Sequence, residues 1–316
     1  MIYADLHCDA LTAAGGPEGS SQVPLGALVE AGCRLMCYAA FVRMERGHLL
    51  ETALGYARKL REEIARTGGL AIPVLCAEDM RRAAATCKVG AMFTVEEGAV
   101  VEDSVANVRR LHAEGMRMMT LTWNYPNALG RPNAQMADFA ARGAAALYDT
   151  DDHPLTDFGR AVVAEMNEVG VIVDVSHLSD GGFWDVLRLS TKPIVASHSN
   201  ARAVRGVARN LSDDMVRALA AKGGVTGLNL CPDFLCDKEE NVLEWAVRHV
   251  VHLWHVGGED VLALGTDFDG MVPRAPLLDC TSIPLLYDAL ARQLPPRVVD
   301  KMMWDNFLRV FEEVCG

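Results

Sequence analysis

The chain has 316 residues, 50% of them hydrophobic and 6% aromatic, and its 42 acidic against 30 basic side chains give a formal charge of −12. Acidic residues are spread along its length, which argues against the basic patches that nucleic acid or an anionic membrane would need. No apolar run approaches the roughly 18 residues of a membrane span, and Asp5, His7 and Asp9 interrupt any export signal at the start.

The first strand is predicted over residues 2–7 and leads into His7, Cys8 and Asp9. Residues two apart on a strand share a face. His7 and Asp9 therefore converge, while Cys8 points away. Apolar or β-branched runs predict further strands over 34–41, 91–96, 117–123, 171–177, 193–198, 224–230 and 261–267, with a short extra run over 70–75. Amphipathic spacing predicts helices over 48–66, 104–114, 156–168, 213–222 and 242–256. Thr156 and Ser212 stand at N-cap positions, Gly115 and Gly223 at helix C-termini. The polar segment 124–155 lacks periodicity and reads as an active-site loop after the fourth main strand. The nine cysteines are scattered without a Cys-x-x-Cys pair, and Cys33, Cys37 and Cys76 sit in apolar runs. That usage predicts a reduced, cytoplasmic protein.

Eight strands alternating with helices imply a parallel sheet. An open doubly wound sheet and a closed (β/α)8 barrel both fit the count. No Gly-x-Gly-x-x-Gly follows the first strand, which weakens a dinucleotide fold. The strand ends then favour the barrel. They carry His7 and Asp9, Glu96 and Glu97, His177, His198, and Asp267 and Asp269. In a barrel all such ends meet at one mouth. A set of His, Asp and Glu ligands there suits zinc or a related divalent ion, and five ligands suit two ions. Each residue alone also fits a bland role, as a hydrogen-bonded strand end, a solvated acid or a turn. Five such strand ends together favour a metal site in one barrel domain over 1–316.

The residues Asp5, Leu6, His7, Cys8 and Asp9, then Val95 to Gly98, Leu121 and Thr122, Asp174 to His177, Ser197 to Ser199, Arg209 and Asn210, and Gly265 to Gly270 follow one another in a distinctive order. In this the chain resembles the membrane (renal) dipeptidase family of zinc peptidases, over nearly its whole length. The resemblance implies a two-zinc site with His7 and Asp9 on one ion, His177 and His198 on the other, and Glu96 bridging. Glu96 is preferred to Glu97 because the family has glycine after the bridging glutamate. Asp267 matches the acid/base aspartate, and Arg209 the arginine that binds the substrate carboxylate. Two zinc ions would lower the pKa of a bridging water and give hydroxide near neutral pH. Without the resemblance, Arg209 reads first as a surface salt-bridge partner.

Two departures bear on the substrate. Trp123 stands where the kidney enzyme has a substrate-contacting histidine, and it cannot accept a hydrogen bond. Asn124 beside it offers a donor. Cys231 follows Asn229 and Leu230 where the family often has an aromatic residue. His153, before Pro154, is a further candidate for substrate contact. His249, His252 and His255 recur every three residues on a predicted helix and read as an outer-helix surface rather than a metal stripe.

The expectation is a cytoplasmic two-zinc dipeptidase for short unblocked dipeptides, including ones with a C-terminal D-residue as the resemblance suggests. The alternatives are an amidohydrolase for an acylated amino acid or cyclic amide, and a catalytically silent barrel that only binds. The resemblance also suggests a homodimer.

Overall fold

A computed structural model of the chain describes residues 1–13, 16, 22–237 and 240–316. Nine strands form one parallel sheet: β1 Tyr3–Cys8, β2 Cys33–Phe41, β3 Ala71–Pro73, β4 Val89–Glu96, β5 Met116–Thr120, β6 Ile172–Asp174, β7 Val195–Ala196, β8 Val225–Leu228 and β9 Leu262–Leu264. Their order is β1-β2-β4-β5-β6-β7-β8-β9, with β3 paired onto β4 beside this path. β3 takes the start of β4, at residues 89–91, and β5 takes its end, at residues 93–96. The circle closes where Asp267 donates its backbone N–H to His7 O (3.1 Å) and Asp9 donates to Phe268 O (2.9 Å). The result is a nearly closed eight-stranded (β/α)8 barrel.

Adjacent strand residues divide between two cores, as a period of two requires. Leu35, Met92, Met118, Ile172, Val195 and Ala263 belong to the inner core. Their immediate successors Met36, Phe93, Met119, Val173, Ala196 and Leu264 pack outward with the helices. The helix Asn306–Cys315 adds Phe307, Val310 and Phe311 to the inner core and plugs the N-terminal end of the barrel. Both phenylalanines are essentially inaccessible. Removing either ring would cost about 3–5 kcal/mol. The opposite end is left to polar residues.

Several strands stop earlier than their apolar runs suggest. β5, β6, β7 and β9 end at Thr120, Asp174, Ala196 and Leu264. Beyond those points buried side chains replace the ladder. Asp174 accepts the N–H groups of Ser176 and Ser197 (both 2.9 Å) and the hydroxyls of Thr120 (2.6 Å) and Ser197 (2.5 Å). Asp5 accepts from the Thr266 N–H (2.9 Å) and hydroxyl (2.6 Å).

The five predicted helices form within a residue or two of their predicted ends. Thr156 caps by accepting from Gly159 N (2.9 Å), Ser212 from Met215 N (3.3 Å). The helix Asp180–Leu189 gives little signal in the sequence because it opens on Gly181 and Gly182, poor helix formers. A Cβ at Gly181 would collide with the Asp152 carbonyl, so tertiary packing decides there. Segment 124–155 is not a bare loop. It contains the helix Met136–Arg142 and a 3-10 stretch Gly143–Tyr148, and Asn133 ties it down through Asp180 (2.7 Å) and the Ala208 carbonyl (3.0 Å). No helix among the described residues is long and apolar enough to cross a membrane. Cys33 and Cys37 lie in the core, whereas Cys76 is half-buried at a helix start.

Candidate metal centre and active site

At the C-terminal mouth of the barrel, His7, Asp9, Glu96, His177, His198 and Asp267 come together. Glu96 lies at the middle. Its Oε2 is 3.6 Å from His7 Nε2, and its Oε1 is 3.2 Å from His177 Nε2 and 3.7 Å from His198 Nε2. His7 Nε2 also lies 3.5 Å from Asp9 Oδ2. Two three-residue groups with metal-ligand spacing therefore share Glu96: His7, Asp9 and Glu96, and Glu96, His177 and His198. His7, His198 and Asp267 form a third.

Local backbone departures aim these side chains. His177, Asp267 and Asp269 adopt φ of 69°, 65° and 64°, a left-handed conformation costly for non-glycine residues. Simple strand alternation cannot foresee such turns. Gly270 makes room beside them, since a Cβ there would overlap carboxylate oxygens of Asp9 and Asp267. Cys8 packs into the outer core, away from the site.

The imidazoles are oriented from behind. His177 Nδ1 pairs with Asn124 Oδ1 (2.8 Å), and His198 Nδ1 with Ser197 Oγ (2.6 Å). The Ser197 hydroxyl in turn donates to Asp174, completing a relay from a buried acid. With each Nδ1 engaged, the Nε2 atoms face each other across 3.0 Å. Such outer contacts fix the tautomer of a ligating histidine.

The charge balance fits a cation. Burial pushes Glu96 up to about 7, with Asp9 and Asp267 adding to the rise against His7. Burial likewise pushes Asp267 up to about 6, opposed by His7 and Arg209. Burial, together with Arg209 and His7, holds His177 and His198 well below the usual histidine value, so they are neutral and offer lone pairs. Burial opposes the charge on His7, yet Glu96 and Asp9 outweigh it and raise its pKa. Moreover, His7 Nε2 is buried without a hydrogen-bond partner. A buried orphan nitrogen among clustered carboxylates is what a divalent ion would satisfy.

A cavity of about 440 Å³ opens onto this cluster. Phe41, Trp123, Phe234 and Met271 give it apolar walls, and Asn124, Cys231 and Arg43 also line it. Trp123 packs at 4.7 Å from Phe41 and 5.2 Å from Tyr125, ring centre to ring centre. Phe234 supplies an aromatic wall near Cys231, three residues later than the family pattern suggests. Burial pushes the Cys231 thiol up to about 12, so it stays protonated.

Arg209 is buried behind the wall rather than lining the cavity. Its Nη1 donates to Ser199 Oγ (3.0 Å) and its Nη2 to His198 O (3.3 Å), and its guanidinium carbon lies 5.5 Å from the Phe234 ring centre. Its buried Nε has no partner. His153 is not brought to the cavity. Its exposed ring pairs with Asp151 at 2.6 Å, because the Asp151 side chain folds back on the turn. Of the histidine stripe, His249 departs from a surface reading. It is fully buried, accepting from Ala201 N (3.1 Å) and donating to Leu235 O (3.0 Å). Asp5, Asp174 and Ser197 lie in the motif segments and Asn229 beside a departure from them, but the sequence assigns no role to these four or to Arg43, although all bear on the site. Asn229 Nδ2 donates to Asp267 Oδ2 at 3.1 Å.

Comparison with known proteins agrees with this geometry. The family model described as membrane dipeptidase (peptidase family M19) matches residues 4–315. A Klebsiella pneumoniae protein, described as an uncharacterized protein in the pqqA 5′ region, is 33% identical over 261 residues, covering 81% of this chain and 93% of that protein. A metallo peptidase from Rhodobacter sphaeroides, solved with a phosphinate mimic of the dipeptide L-Ala-D-Ala, superposes with a TM-score of 0.88 at 26% identity, covering 99% of each chain. A metallo peptidase described as dipeptidase AC superposes with a TM-score of 0.88 at 27% identity, covering 100% of this chain and 99% of the other. The chain belongs to the membrane dipeptidase family, peptidase family M19, a family of metal-dependent dipeptidases.

Proposed function

We propose that the whole chain acts as one catalytic barrel that hydrolyses short unblocked dipeptides with two zinc ions. The observation that carries this reading is the sharing of Glu96 between two ligand groups. His7 and Asp9 would hold one ion, His177 and His198 the other, with Glu96 between them. When bound, such ions supply Lewis acidity, lowering the pKa of a shared water and polarising a substrate carbonyl.

The chain's own residues do the rest. Asp267 takes the proton from the attacking water and delivers it to the leaving nitrogen as the C–N bond breaks, leaving a carboxylate and a free amine. Asn229 orients Asp267 through the Oδ2 contact. Arg209 lies behind the cavity lining, so for it to take the substrate carboxylate by a charge-assisted bond its guanidinium would have to leave Ser199 Oγ and the His198 carbonyl and turn into the cavity. Asn124 holds the His177 ring, and Trp123 forms a wall that excludes water. The phosphinate mimic of L-Ala-D-Ala in the Rhodobacter sphaeroides relative supports D-residues at the C-terminal position here too. All nine cysteines are free, which supports a reducing cytoplasm. The family resemblance supports a homodimer.

The test is metal content together with turnover of a dipeptide panel spanning L and D residues at both positions. Near two zinc equivalents with dipeptide turnover is the expected result. Metal without dipeptide turnover would favour another amidohydrolase, and absence of metal with no rescue by added zinc would favour a binding protein. Chelation should also lower the melting temperature. An ion present at about 1,000 times its Kd adds about 4 kcal/mol.

A further inference from the structure

The cavity above the metal ligands is chemically lopsided. Asp9, Glu96, Asp267 and Asp269 lie among its lining residues, yet Arg43 is the one lysine or arginine there among the described residues. Arg43 is held by the barrel itself. It follows β2 by two residues, Phe41 is the register partner of Glu96, and the intervening Val42 is buried and donates its N–H to Glu96 O at 3.3 Å. A side chain mounted there is positioned by the strand that neighbours the central ligand.

Arg43 also lacks a protein counter-charge. It makes no ion pair or hydrogen bond among the described residues, in contrast to Arg61 and Arg110, which pair with Glu114 and Glu51. The adjacent acid, Glu45, lies against the Tyr125 hydroxyl. Phe41 and Trp123 line the same cavity and pack together at 4.7 Å. That pairing suits the methylenes of a side chain whose tip reaches the guanidinium. A planar guanidinium is well matched to a carboxylate, with two parallel N–H donors.

We infer that Arg43 is a specificity-determining residue that binds an anionic side chain of the substrate, so that the favoured dipeptides carry aspartate or glutamate. The inference rests on the dipeptidase reading for its substrate class. It assigns the acidic preference to the cavity rim, away from the metal ligands and from Arg209. The chain's own net charge of −12 would repel such substrates, and Arg43 offers a local cation against it.

The experiment compares Ala-Glu with Ala-Gln and Glu-Ala with Gln-Ala, in wild type, Arg43→Gln and Arg43→Glu. Each kcat/KM ratio is measured beside calorimetric binding of the matching reduced-amide analogues, which cannot be hydrolysed. Wild type should favour the acidic member of at least one pair by roughly tenfold. Arg43→Gln should bring that ratio close to one, and Arg43→Glu should reverse it in favour of the amide member. Equal rates for acidic and amide members in wild type, or a preference that survives Arg43→Gln, would overturn the inference and leave the dipeptidase reading standing. Analogue discrimination erased by Arg43→Gln without turnover of any dipeptide would support Arg43 and sink the dipeptidase reading. Absence of both binding and turnover would overturn both.

Discussion

The buried carboxylate of Glu97 accepts the backbone N–H of Trp123 at 3.0 Å. Both residues depart from the family pattern, so one departure braces the other. Glu97 also accepts from Ala99 N (2.9 Å) and Asn127 Nδ2 (2.5 Å), while its backbone sits at φ 86°, where glycine is at ease. The side chain thus compensates for its own backbone strain and fixes the turn that carries Trp123 and Asn124.

Replacing Glu97 with glycine should relax the backbone but strand those donors. We expect a net loss of about 2–4 kcal/mol in stability. KM should change more than kcat, because Trp123 is a cavity wall and not a proton carrier. Urea unfolding and dipeptide kinetics check both. Unaltered KM and stability would disconnect Glu97 from the cavity.

Asp267→Asn should keep the bound metal and lose turnover. Asparagine has the same shape and tolerates the left-handed backbone at this position better than most residues. Its amide cannot take up the water's proton. A fall in kcat of about 10²–10⁴ is expected, with metal content measured by elemental analysis on the same sample. Full activity in this variant would move the acid/base role to another residue.

How far the sequence reveals this molecule depends on the range of each interaction. The strands and long helices are legible because period and capping are local, as with Leu35 and Met36 or Thr156. The grouping of His7 with Asp9 is legible too, because a single residue, Cys8, separates them at a strand end. The convergence of His177 and Asp267 depends on positive φ angles that no residue type announces there. Asp5 and Asp174 look like ordinary polar flanks, yet each replaces a missing stretch of ladder through hydrogen bonds to distant residues. The helix Asp180–Leu189 is hidden for the same reason, since packing of Gly181 against the Asp152 carbonyl overrides weak propensity.

Arg209→Ala should discriminate between substrates with and without a free C-terminal carboxylate. A hydrogen bond to a charged group contributes about 1.5–3 kcal/mol, so free dipeptides should lose roughly 10- to 150-fold in kcat/KM. C-terminally amidated ones should lose far less. Arg209 also holds Ser199 and the His198 carbonyl, so Arg209→Lys is the companion variant, retaining the charge. Equal losses on free and amidated substrates in both variants would assign Arg209 to structure alone.

His249 should make the fold acid-sensitive. It lies fully buried on the helix Val242–Gly257, and burial lowers its pKa to about 4, only partly offset by the bond to Leu235 O. In the unfolded chain the ordinary value is near 6.5. Above that pH the ring is neutral in both states and its contribution is complete. As the pH falls, the unfolded chain takes up the proton first, so stability declines through 6.5 and is lost by about 4. The difference amounts to about 3 kcal/mol. His249→Gln can keep an acceptor and a donor but cannot titrate. It should be less stable than wild type at pH 7.5 because the smaller amide packs less well. Its stability should nevertheless fall less between pH 7.5 and 4.5. Urea unfolding at the two pH values measures the difference in slope, and identical slopes would show that another group governs the acid sensitivity.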